Sequence, residues 1–583
     1  MQPTAQAVGN PTFMTSSVGA KETSPQARRR RAQKDTLAAC PERPYYNQPM
    51  TTWSAIPWLL LASAVALAQQ TVPCEILIPV LDAKHQPLTA SAPDGKSYPV
   101  FQAPPAGKLV DNIAGELRTS YAQQALRLDR YARNLMLSKA ADAHTPPQEW
   151  LTAPMYFLMS SEEGGFARFG FWLQDGSGQR KLILAGYVDM VVEDDCSKGC
   201  IEEIFSHELG HRILRTLVGE IPPGPSRKMH QSMTVTDYPT AFDEGFAEHF
   251  QPLSRDAHSE KPQPENFATD FDLFWLSAAD TQLRTDGVKH NVYIHRKPLP
   301  ESAFDPASDP YRVFVDSETS TIFIPTEIKN AQQMMASEGV ISTLFYRLVN
   351  DAQLRSHYRE PSFYRAFVPS ISDRPEASIS PEENIHLKLF AAMSDIGGMK
   401  PDEPPMILLV EHYAKLFPDE AKRIYGDFIA TTWGATVSQQ LATALTRSAA
   451  DGGRGEIAAF RHDDFSTLFS STVDDVVRAK RNLRENLGPE LWIANSQFKI
   501  APSMWSDDRS LPLTLHLNAA TEPELMTIPG VDLALARKIT LARNASGFFR
   551  SLNDLVPILP PDVTHRVSSM ADEMKRLPPF QRE

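Results

Sequence analysis

The chain has 583 residues, too many for one hydrophobic core, so two or three domains are expected. Its formal net charge is −13, and its first 68 residues are net basic, so the remainder is more acidic still. Such a body is repelled as a whole by nucleic acid and anionic membrane. The four cysteines, Cys40, Cys74, Cys196 and Cys200, are too few for a disulfide scaffold.

Residues 1–49 are polar, with a basic run at Arg28–Arg31, and read as disordered or as preceding the true start. Met50 opens MTTWSAIPWLLLASAVALAQQ. The run Ala55–Ala68 has the length of a signal-peptide core and is too short to span a bilayer comfortably. Ala66-Leu67-Ala68 fits the small-x-small cleavage pattern, placing the cut before Gln69. Segment 50–68 therefore predicts export to the periplasm or beyond, with no stable transmembrane span after cleavage. The alternative is a membrane anchor formed by an uncleaved 55–68 segment.

Residues 69–200 read as α+β. A short extended segment carries the turn Pro93-Asp94-Gly95. From Lys108 to Ala140, Leu109, Ile113, Leu117, Tyr121, Leu126 and Leu128 recur at helical spacing. Pro154–Ser160 reads as a strand, and Phe166–Gln174, a turn at 175–178 and Gln179–Val192 as a hairpin. Cys196 and Cys200 flank Ser-Lys-Gly; they predict either a small disulfide loop in an oxidising compartment or a pair of free thiols.

Ile201–Val218 follows, IEEIFSHELGHRILRTLV, with apolar Ile201, Ile204, Phe205, Ile213, Leu214 and Leu217 at helical spacing. His207 and His211 are four apart and share a helix face, so both imidazoles can bind one metal ion. Neutral imidazole suits zinc, and two histidines plus a carboxylate leave a fourth position for water. Glu208 stands between them and can take a proton from that water as it attacks a carbonyl. Past Pro222-Pro223-Gly224-Pro225, the segment Ala241–Phe250 places Glu244 and Glu248 four apart on one helix face. His230 and His249 read as solvated or structural. Ser337–Asn350 is helical, 360–405 is loop-rich, Pro405–Thr446 alternates helices, and 451–510 reads as a linker region.

The pair of motifs resembles the gluzincin metallopeptidases, the superfamily of thermolysin and the membrane alanyl aminopeptidases. Asp243-Glu244-Gly245-Phe246-Ala247-Glu248 matches their second-helix motif, with Asp for the common Asn. The resemblance covers roughly residues 180–350. It implies one zinc per chain, Glu244 as third ligand, and Glu248 as the acid that orients a zinc-bound histidine. In such peptidases an edge strand pairs with the substrate backbone, a role for which Gly186–Val192 is the candidate, an ordinary core strand being the alternative. Three departures stand out. The spacer between the motifs is longer than in well-known members, the aminopeptidase G-x-M-E-N segment is missing, and Ser337–Asn350 has no histidine for an oxyanion. Tyr346 or Tyr238 could donate that hydrogen bond. The metzincin continuation fails at Leu214 and Leu217.

Leu517–Leu559 resembles the helix-hairpin-helix module of bacterial competence DNA receptors. Leu525, Ile528, Gly530, Val531, Ala536 and Ile539 match the hairpin, and Gly547, Phe549, Ser551, Asp554 and Leu555 its continuation. The resemblance implies phosphate contact by backbone amides at Gly530 and Val531, helped by Arg537, Lys538 and Arg543. Against this, Asp532 puts a carboxylate where a phosphate would sit, and Pro560-Pro561 replaces a second Pro-Gly. Residues 506–583 carry nine basic and ten acidic side chains, so they have no basic footprint.

The expected architecture is α+β. A gluzincin-like core holds a small antiparallel sheet with helices (69–200) and the metal helices with a helical lobe (201–450). After the linker region (451–510) comes an all-α helix-hairpin-helix domain (511–583). The expected function is an exported zinc peptidase acting on peptides or proteins. The alternative is an envelope DNA-binding protein whose peptidase-like part is structural or inactive.

Overall fold

Alternating apolar side chains in the first part of the chain build a six-stranded sheet. Its strands are β1 Cys74–Pro79, β2 Thr89–Ser91, β3 Ser97–Gln102, β4 Met155–Ser160, β5 Gly165–Gln174 and β6 Arg180–Val191, in the order β1-β4-β6-β5-β3-β2. A further pairing of Ile78 and Pro79 with Gln102 and Phe101 joins β1 to β3 and closes five strands into a ring. Leu77, Phe101, Tyr156, Leu158, Phe171, Ile183, Ala185 and Tyr187 fill its interior. The opposite face sends Phe157, Val188 and Met190 into the main core. At Gly170 (φ +80°) the register of β5 against β6 shifts, and a side chain there would strike the Tyr98 ring.

The computed structural model describes residues 71–139, 145–160, 165–191, 200–228, 230–257, 285–452, 463–500 and 510–578. Segments 1–49 and 50–68 and Cys196 lie outside them, and Cys74 is a free thiol. No helix among the described residues is long and apolar enough to cross a membrane.

The sheet is mixed, where an antiparallel one was expected. β5 and β6 form the anticipated hairpin, but β4 runs parallel to β1 and β6, and β3 parallel to β5. The cause is the helical crossover between β3 and β4, α1 Lys108–Glu116 and α2 Ser120–Ser138, which returns the chain to enter the sheet in parallel. β6 is also paired on both sides, with β4 and β5, so Gly186–Val191 is an interior strand and not a substrate-binding edge.

Against this sheet lies α3 Cys200–Val218. An amphipathic stripe was expected, yet Phe205, Leu209, Ile213, Leu214 and Leu217 are buried together with Glu203, Ser206, Glu208, His211, Arg212 and Thr216. The helix is enclosed on all sides, and its polar groups need partners. Arg212 finds Asp129 of α2 at 3.0 Å and the Gly186 carbonyl of β6; Asp129 also holds Arg133 at 3.0 Å. One guanidinium thus ties α3 to both the crossover and the sheet.

The chain continues through α4 Tyr238–Glu248, α5 Phe250–Ala257, α6 Pro310–Thr319 and α7 Glu338–Asn350 to a helical lobe. The lobe comprises α8 Pro381–Met393, α9 Pro405–Leu416, α10 Ala421–Thr431, α11 Gln439–Gly452 and α12 Asp463–Val477. Helix α8 falls inside the stretch read as loop-rich. A capping box between Ser380 and Glu383 starts it, and its burial on nearly every face hides the polar periodicity that marks a helix. The expected linker likewise holds α12 and strand β7 Trp492–Ile500, which pairs antiparallel with β8 Leu511–His516. The C-terminal helices α13 Glu522–Met526, α14 Leu533–Ser546 and α15 Pro561–Met574 close a second core with β7, β8 and Phe314.

Removing one member of a buried ion pair strands its partner, at a cost of about 3–5 kcal/mol. Asp129→Ala is therefore expected to lower the urea midpoint strongly. Arg312→Ala, which removes an exposed partner of Asp316, should leave the midpoint unchanged.

Candidate metal centre

Two glycines bring the motifs together. A Cβ at Gly210 on α3 would lie 2.9 Å from Ala247 Cα and 3.0 Å from the Phe250 ring. One at Gly245 on α4 would lie 2.7 Å from the Glu338 carbonyl oxygen and from Ile341 Cβ of α7. Both sites lie inside helices, where glycine costs roughly 1 kcal/mol relative to alanine, so close approach is what they provide. Helix α4 begins where Asp237 caps Thr240 N at 2.8 Å and Pro239 occupies the first turn.

Three predicted ligands converge. Glu244 Oε2 lies 3.4 Å from His211 Nε2 and 3.9 Å from His207 Nε2, and the two imidazole rings are 5.0 Å apart. Tetrahedral zinc with ligands at about 2.0–2.1 Å separates them by about 3.3–3.5 Å, so this donor set fits the ion with small adjustment. His211 Nδ1 bonds Asp243 Oδ1 at 2.7 Å. That carboxylate accepts a proton on Nδ1, which aims the Nε2 lone pair at Glu244. An Nε2 lone pair facing a carboxylate oxygen needs a proton or a cation between them. Burial opposes the charged form of His211, but Asp243 and Glu244 outweigh it and hold its pKa well above the ordinary value. Burial would raise Glu244, yet His230, His211 and His207 hold it well below the carboxylate range.

Asp243, the residue at the family's Asn position, thus orients His211. Glu248 is fully buried and accepts from the Ser232 hydroxyl. Glu208 is buried against β5, where a Cβ at Gly165 would stand 3.0 Å from its Oε1. Burial pushes its pKa up to about 7, partly offset by His211. A carboxyl in that range exchanges protons near neutral pH. Beside it, Gly165–Phe171 of β5 pairs with β6, and among the described residues no strand covers its other side. Arg215 donates to the Ala167 carbonyl there at 3.0 Å.

The remaining candidates fall elsewhere. Tyr346 gives its hydroxyl to Asp256 at 2.7 Å, and Tyr238 is buried at the start of α4. His249 is structural, as expected, buried among Phe246, Phe250 and Phe345 with its Nε2 3.1 Å from His386 Nε2. His230, read as solvated or structural, is partly exposed but faces two acids: its Nδ1 lies 3.7 Å from Glu244 Oε2 and 3.5 Å from Glu338 Oε2. Nothing local in the sequence marks it, because long-range bonds bring it in. Gly339 N donates to Ser232 O and Thr236 N to Ala336 O, fastening the spacer to the start of α7.

In the C-terminal module Gly530 (φ +90°) makes the hairpin turn, and Val531 is buried beneath it. Asp532 caps α14 by accepting from Leu535 N at 2.8 Å, which sets its carboxylate at the helix start that a phosphate would approach. Arg566 of α15 donates to Pro529 O at 2.8 Å. Arg537 rests over the Phe304 ring, and Lys538 donates to Ile558 O. Arg543, expected in a surface basic cluster, is buried and binds the Leu517 and Ala520 carbonyls. The module is docked on the spacer: Lys228 meets Glu524 at 2.5 Å, and Thr514 bonds Pro225 O and Arg227 N.

Comparison with known proteins identifies this module. A family model described as a helix-hairpin-helix motif matches residues 514–559. No curated protein and no solved structure gives a significant match to the chain.

The two close-approach glycines carry a test. Gly245→Ala forces backbone and Cβ atoms apart, and overpacking of this kind costs about 1–3 kcal/mol. It is expected to lower both Tm and zinc affinity, whereas Gly115→Ala, with open space around it, should leave zinc affinity unchanged. Calorimetric zinc titration with a thermal melt reads both.

Proposed function

We propose that the chain is a zinc-dependent peptidase of the gluzincin type. The observation that carries this reading is the convergence of His207 Nε2, His211 Nε2 and Glu244 Oε2 beside a buried Glu208. Zinc held by the three would polarise a substrate carbonyl and acidify a water molecule. Asp243 keeps His211 in the tautomer that ligates. Glu208 takes the proton from the attacking water and returns it to the leaving amine, so the carboxyl ends each turnover ionised. A peptide lying along the open side of β5 would pass Glu208, and main-chain pairing there suits an extended substrate of mixed sequence. The apolar run Ala55–Ala68 supports export, which N-terminal sequencing of the native protein would reveal as a start at Gln69.

His207→Ala is expected to abolish stoichiometric zinc by elemental analysis. Glu208→Gln should retain zinc and lower peptide hydrolysis by about 10²–10⁴-fold, the usual contribution of a general base. A protein that holds no zinc at neutral pH would sink the reading.

A second reading, nucleic-acid binding by residues 514–559, is favoured by the helix-hairpin-helix match. The Asp532 cap and the burial of Arg543 weigh against it and favour a docking role for the module. The full chain is expected not to retard duplex DNA at low salt. A salt-sensitive shift that Lys538→Ala weakens would reverse that preference.

A further inference from the structure

We propose that the centre is built for two divalent cations, the second lying between His230, Glu244 and Glu338 with Glu244 as the bridge. This deepens the reading above and rests on His207, His211 and Glu244 being a metal site. His230, Glu244 and Glu338 each offer a donor atom within 4.8 Å of the other two, as do His207, His211 and Glu244. Both trios use the same oxygen, Glu244 Oε2, which stands 3.4 Å from His211 on one side and 3.7 Å from His230 on the other. A carboxylate shared in this way sets two ions about 3.5–4 Å apart, the spacing of two-metal hydrolytic sites.

Three observations separate this arrangement from a histidine resting on two acids. First, 3.5 Å and 3.7 Å are too long for strong hydrogen bonds between an imidazole and carboxylates, and they suit donors facing a common ion. Second, Glu338 is in the first turn of α7, where an acid usually faces solvent and the helix N-terminus. Its side chain is instead 3% exposed and turned to His230. Third, the formal charges of Glu208, Asp243, Glu244 and Glu338 outnumber the Arg215 guanidinium that reaches Asp243 at 4.0 Å. Those charges sum to −3, so one dication leaves the group at −1 and still attractive to a second cation.

The backbone holds the second trio as firmly as the first. Gly339 leaves room for the spacer, since a Cβ there would lie 2.6 Å from Ser232 O, and Val235 forms a β-bridge with Ser337. Gly245 sets α4 on α7, which brings Glu244 and Glu338 to the same imidazole, His230. One imidazole and two carboxylates suit zinc or manganese. A second cation would also supply the positive charge that no tyrosine or histidine on α7 offers to a developing oxyanion.

The test is metal content of the full-length protein, stripped with chelator and dialysed against zinc or, separately, manganese. Two equivalents are expected in the parent chain, falling to one in His230→Ala and in Glu338→Gln. Manganese loading should give a spin-coupled resonance signal that both variants lose. Because Glu338 is buried, its substitution could unfold the chain; His230 is 46% exposed at the side chain, so His230→Ala keeps the test independent of folding. One equivalent in the parent, unchanged in His230→Ala and lost in His207→Ala, overturns the second site and leaves the first. Two equivalents in both the parent and His230→Ala also overturn it. No bound metal in the parent overturns both readings.

Discussion

The distance between helix backbones at Gly210 and Gly245 is the constraint on which the centre depends. Ligands on two helices can share an ion only if the helices approach more closely than ordinary side chains allow. Both motifs place a glycine within three residues of a ligand, and each glycine meets backbone or Cβ atoms of the neighbouring helix. The same contacts carry the packing outward: α3 rests on α4, and α4 rests on α7. A lost helix propensity of roughly 1 kcal/mol per glycine is small beside the burial of Phe242, Phe246, Phe250 and Phe345 at these crossings.

Enclosing α3 imposes a second requirement. A helix that must present imidazoles and a carboxylate cannot be wholly apolar, so its remaining polar residues are satisfied internally. Arg212 does so through Asp129 and Gly186, and Glu203 through Arg255 of α5 at 2.8 Å. These buried pairs do little for net stability compared with apolar packing, but they fix the rotation of α3 about its axis. That rotation decides which way His207 and His211 point.

Much of this was legible in local spacing. Residues four apart share a helix face whatever surrounds them, so His207, His211 and the helix that carries them follow from the sequence. The hairpin of β5 and β6 is equally local. The pairing of Asp243 with His211 was not readable, because it depends on how α4 is seated against α3. His230 was not readable either, since its position comes from backbone bonds to residues about a hundred positions away. Strand direction in the sheet and the burial of Arg543 depend likewise on tertiary neighbours. Helix α8 was missed for a related reason: burial on nearly all faces removes the polar half of the pattern.

The long spacer between the motifs has its own occupant. Residues 225–228 lie under the C-terminal module, where Lys228 is buried on Glu524, Arg227 reaches the Pro578 carbonyl, and Thr514 binds the Pro225 carbonyl. The module is therefore not a cassette that recombination could exchange for another helix-hairpin-helix. A replacement lacking an acid at position 524 would leave the buried lysine without its hydrogen-bonded partner. The segment that carries His230 is thereby tied to the module, and a change at Lys228 or Glu524 alone is expected to loosen both.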